Sequence, residues 1–169
     1  MNQNKTKRLF FILSTVYIAS QWGCSPEMKM GQDTEIKNKL KNPLVVGFNE
    51  VHDFANLREG HIERATTYVL ESADQIINDI LTISDTNRTF DNTMVRIDDI
   101  YAIIESVWSP GYLMGSTHAS KTIREEGLES SRQIQKYLTD LSLNEYLYSA
   151  VIVYSESEEA KLLVGFKKK

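Results

Sequence analysis

The sequence predicts an all-α fold, and three observations carry that expectation. Apolar residues recur every three or four positions through most of 61–166, which places them on one face of successive helices. Three prolines and eight glycines among 169 residues are too few for a turn-dense β chain. The β-prone runs are isolated: Leu44–Phe48 has no second strand pattern nearby, and Val151–Tyr154 lies inside a wider helical window. Leu44–Phe48 therefore reads as an extended approach segment.

The chain opens with an address. Lys5, Lys7 and Arg8 precede the apolar run Leu9–Ala19, and no acid occurs before Glu27. That run is the length of a secretory core and is shorter than the roughly 20 residues needed to span a bilayer. Gly23-Cys24-Ser25 follows it and resembles a bacterial lipoprotein signal, in which the cysteine is acylated and becomes the new N-terminus. Residues 1–23 are thus expected to be a signal peptide, with Cys24 as lipid attachment and the product exported to the cell envelope. Plain secretion or a periplasmic location with a free Cys24 is the alternative.

The leader carries three of the 19 basic residues and none of the 23 acidic ones. The remaining 146 residues therefore hold 16 basic against 23 acidic groups, a net charge of −7. Such an acidic body offers no basic face for nucleic acid. A lone cysteine excludes an intramolecular disulfide and Cys-rich zinc modules. Residues 24–43 are polar, without sustained periodicity, and read as a flexible tether. The helical domain is expected over 44–169.

The first helix is expected over 61–84, where Ile62, Ala65, Val69, Ala73, Ile76, Ile80 and Ile83 share one face. Asp85-Thr86-Asn87 supplies turn chemistry. A second helix is expected to start near Asp91, a good N-cap, and to stop at Ser109-Pro110-Gly111, because proline lacks the amide. Two long helices joined by a short polar loop favour an antiparallel hairpin. The third helix is expected over about 120–140 with Ile123, Gly127, Ile134, Leu138 and Leu141 inward. Gly127 costs about 1 kcal/mol against alanine in an exposed helix interior, and it also permits close helix packing. Leu143, Leu147, Val151 and Tyr154 recur at helical spacing after it, and Ser155 or Ser157 is placed to cap a last helix through Leu163 and Phe166.

Residue chemistry alone names no reaction. No GxGxxG, P-loop, GxSxG or EF-hand pattern occurs. His52, His61 and His118 lie 9 and 57 residues apart, so the i, i+4 pair of a helical HExxH zinc site is missing. His61 reads as a surface residue at a helix start, and His52 and His118 as loop or rim residues. Asp98-Asp99, Glu125-Glu126 and Glu156–Glu159 read as solvated helix faces. The tyrosines 101, 112, 137, 146, 148 and 154 suit either a peptide groove or packed helix interfaces.

One stretch carries a resemblance. Residues 43–94 close with Thr89-Phe90-Asp91-Asn92-Thr93 just before Met94, and this order resembles the N-terminal region of the thimet oligopeptidase family of zinc metallopeptidases. That family, which includes oligopeptidase A and peptidyl-dipeptidase, has an approach segment, a His-containing start to a long helix, then a Thr-Phe-Glu/Asp-Asn-Thr turn opening the next helix. Phe90 would pack into the hairpin end, and Asp91 or Thr89 would cap the following helix. Residues 111–155 also fit the family's run of helices, so the likeness covers about 43–166.

The resemblance implies an exported or membrane-anchored peptidase acting on short peptides, whose N-terminal helices form one wall of a deep channel. Zinc and its HExxH ligands would sit in the other half, and no catalytic or metal residue of that half exists in this chain. The chain is accordingly expected to be a truncated N-terminal portion, inactive alone and leaving apolar helix surface uncovered. Lys167-Lys168-Lys169 suggests a slipped reading frame as the origin. A separately encoded catalytic half is a second possibility. A stand-alone helical envelope lipoprotein acting as a binding module is the third.

Overall fold

The computed structural model describes residues 42–164 apart from Phe48. The leader, Cys24, the tether up to residue 41, and Phe166 lie outside the described residues. Among the described residues the fold is all-α, with no strand. A short 3-10 turn, Phe54–Asn56, leads to α1 (His61–Thr82). A second 3-10 turn, Asp85–Asn87, and one π-helical turn, Phe90–Val95, lead to α2 (Arg96–Thr117). Then come α3 (Lys121–Ser142), α4 (Glu145–Ser155) and the single turn α5 (Glu158–Lys161).

The long helices α1, α2 and α3 form an up-down-up bundle in which each touches the other two. A Cβ on Gly111 of α2 would meet the Ile62 side chain at 3.5 Å, while Arg96 reaches Asp79, so α1 and α2 run antiparallel. Thr66 pairs with Ser130 and Asp74 with Tyr137, so α1 and α3 run parallel. The expected hairpin is present. Its core divides along the bundle. Leu44, Leu57, Ile62, Val69, Val107 and Ile123 fill the end near the approach segment. Ile80, Ile100, Ile104, Ile134 and Leu141 fill the other end, where Leu147 and Ala150 of α4 cover them. Packing already includes Asn42, at the end of the segment read as a tether. Its Oδ1 accepts from Leu44 N–H at 3.0 Å and its Nδ2 donates to His61 O at 2.7 Å.

Three boundaries differ from the sequence expectation. The second helix does not stop at Ser109-Pro110-Gly111, because α2 runs through Pro110 to Thr117. Gly111 and Gly115 are buried where α3 crosses, with Gly127 opposite. Burying that face offsets the roughly 3 kcal/mol of a proline inside a helix. Asp91 is not the N-cap; Thr89 is. Leu143, at helical spacing with Leu147, Val151 and Tyr154, is 72% exposed in the α3–α4 turn, because Leu141 and Leu147 already fill the core positions on either side. The last helix is capped by Ser157 and ends at Lys161, before Leu163.

Candidate functional site

The family-like turn forms one structure. Thr89 Oγ1 accepts from Asn92 N–H at 3.1 Å, and Asn92 Oδ1 accepts from Thr89 N–H at 2.8 Å, a reciprocal capping box. Asn92 Nδ2 also donates to Asn87 O at 2.8 Å, tying the π-helical turn to the loop before it. Thr93 is buried, and its hydroxyl donates to Asn92 Oδ1 at 2.9 Å. Phe90 packs edge-on against Tyr154 of α4, ring centroids 6.4 Å apart. Its N–H donates to Glu159 Oε2 at 3.1 Å. Asp91 is exposed in the first turn, where its charge favours the helix N-terminus. All five residues thus build the hairpin end. Arg88 completes it: its buried guanidinium donates to Ile80 O at 3.1 Å, among the carbonyls that end α1.

Tyr154 is buried, and its hydroxyl finds no partner among the described residues. Burial, with the Glu159 and Asp91 carboxylates nearby, pushes this phenol above its ordinary range. Tyr137 is pushed up too, first by burial and then by Asp74, whose Oδ1 accepts its hydroxyl at 2.8 Å.

The three histidines sit toward the opposite end, and two of them serve the backbone. His61 Nδ1 accepts from Arg58 N–H at 3.1 Å, and His118 Nδ1 accepts from Ser120 N–H at 3.0 Å. An accepting Nδ1 requires the neutral ring. Burial lowers the His61 pKa, and Arg64 and Arg58 lower it further, while Glu126 acts the other way. His52 is lowered mainly by burial, opposed by the backbone at Pro43 and Leu44. A hollow of about 550 Å³ opens beside Arg58, His118 and Ile123. Among the described residues, no three His, Cys, Asp or Glu side chains converge on a point where a metal ion could be held.

Glu126 departs from the reading of Glu125-Glu126 as a solvated face. Its Oε1 accepts from Gly60 N–H at 2.6 Å, across from α3 to the start of α1. Gly60 sits at φ 77°, with no side-chain cap of its own, so the carboxylate does the capping from a distance. The signal was present: Glu126 follows Ile123 by three positions on the inward-facing side of α3, beside buried Gly127 and Ser130. Thr66 and Ser130 were also missed. Thr66 Oγ1 donates to Ile62 O at 2.8 Å, so its contact of 2.6 Å with Ser130 Oγ uses the serine proton.

The tyrosines divide between the two readings made from sequence. Tyr154 is core and Tyr137 half-buried, whereas Tyr101, Tyr112, Tyr146 and Tyr148 are exposed. Comparison with protein-family models, curated proteins and solved structures finds no match to this chain. Fold and site define a helical bundle in which Arg88, Thr89, Asn92, Glu126, Thr66 and Ser130 cap helices or hold them together.

Proposed function

We propose that this chain is the N-terminal helical portion of an exported zinc metallo-oligopeptidase, one wall of a channel for short peptides, without catalytic activity of its own. The observation that carries the reading is the Thr89–Thr93 turn. Its five residues match the turn of the thimet oligopeptidase family, and here Thr89, Asn92 and Thr93 form one hydrogen-bonded unit between two long antiparallel helices. Exposed Tyr112, Leu113 and Leu128 on α2 and α3 support it further, as apolar surface that a larger enzyme would cover. Zinc and its HExxH ligands would come from another half, and no chemical step is assigned to these residues. In the same proposal residues 1–23 direct export and Cys24 carries a lipid anchor. No helix among the described residues is long and apolar enough to cross a membrane.

A graft tests the proposal. In an oligopeptidase A, the hairpin bearing the Thr-Phe-Glu/Asp-Asn-Thr turn is replaced by residues 61–117 of this chain. The proposal expects a soluble enzyme that still cleaves short peptides and loses that activity to a chelator. A soluble, zinc-loaded chimera without cleavage would count against it.

A further inference from the structure

Along the outer side of α2 an open trough of about 310 Å³ runs beside α3. Its floor is apolar: Tyr101, Ala102 and Trp108 from α2 and Leu138 from α3. Asp98 and Glu105 stand on the same wall, seven residues apart, which is two helical turns or roughly 10 Å. Neither carboxylate pairs with a cation among the described residues, although most other ion pairs on the long helices join neighbours one turn apart. Trp108 and Leu138 are half-buried against the core, so the floor is fixed by packing. Tyr101, 47% exposed, is the part open to a visitor.

We infer that this trough docks a basic amphipathic helix of a partner protein. Apolar side chains of that helix would lie over Tyr101, Ala102 and Trp108. Lys or Arg side chains seven positions apart on it would reach Asp98 and Glu105. Charge complementarity selects this occupant. Two unpaired acids beside two aromatic rings favour cations, which gain both the carboxylate and the ring faces. A second copy of the chain is disfavoured, because a two-fold pairing through this face would set Asp98 and Glu105 against themselves. An anionic membrane surface is repelled by the same charges. The inference goes beyond the peptidase reading and does not depend on it.

The test uses the full chain and a fluorescein-labelled synthetic helix of about 15 residues, built from leucine and lysine with lysines seven apart. Its glutamate counterpart serves as control, and the readout is fluorescence anisotropy. The trough predicts saturable one-to-one binding of the lysine helix and none of the glutamate helix. Asp98→Lys with Glu105→Lys should weaken the lysine helix at least about tenfold and let the glutamate helix bind. Tyr101→Ser, an exposed position, should weaken it by a smaller factor. Glu63→Lys with Glu71→Lys makes the same charge change on exposed α1 positions and should have little effect. Equal weakening by both double variants would overturn the proposal, since attraction would then be diffuse. Absence of saturable binding to the unsubstituted chain would overturn it as well.

Discussion

Gly127 sits where α3 crosses α2, and a Cβ built on it would collide with Gly111 O and approach Gly115 Cα to 2.6 Å. Helix propensity alone favours alanine there by about 1 kcal/mol. The crossing reverses that sign, because the obstructing atoms are backbone and cannot swing aside. Gly127→Ala is therefore expected to destabilise the chain by about 1–3 kcal/mol, the usual cost of overpacking, read as a lower urea midpoint. An unchanged or raised midpoint would show that the helices separate at little cost. Glu126 teaches a related lesson at the preceding position. As a letter in an acidic pair it reads as solvated, yet its place beside Gly127 on the crossing face lets it reach Gly60.

Among the elements, α1 was legible almost to its ends, because seven apolar residues at helical spacing leave one solution for burying them. The start and end of α2 were not. Thr89 and Asp91 are both good caps by type, and the choice falls to Thr89 because Asn92, three residues on, returns the hydrogen bond. The continuation through Pro110 was hidden for another reason. A proline's local cost is written in the sequence, but the α3 surface that offsets it comes from residues far along the chain. Thr89→Ala removes one half of the capping box and should cost about 1 kcal/mol in urea unfolding. Asp91→Ala should cost less, since Asp91 offers charge but no cap. Equal losses would contradict the assignment of the cap. The family-like turn was readable as a motif; its link to Tyr154 and Glu159 of the last helices was not.

For the whole molecule, the shifted groups set the pH range of stability. His52 and His61 are held below their ordinary value of 6.5 in the fold, so the unfolded chain takes up protons first as pH falls. Their contribution is complete above about pH 6.5 and is lost as pH drops through their lowered values. Tyr137 and Tyr154 are raised above 10.0, so their contribution is complete below that pH and is lost as pH climbs through their raised values. The urea midpoint should decline between about pH 6.5 and 5, above the range where most carboxylates titrate, and again above about pH 10. A midpoint flat from pH 7.5 to about 5 would show that neither ring needs to stay neutral. What this bundle contributes to chemistry is measured directly by peptide hydrolysis with and without a chelator. The full chain is assayed alone and co-expressed with the HExxH-bearing half of an oligopeptidase A. No hydrolysis is expected from the chain alone, and the pair should show chelator-sensitive cleavage above that of the catalytic half by itself. Chelator-sensitive cleavage by the chain alone, or no gain on pairing, would overturn the proposed role of the bundle.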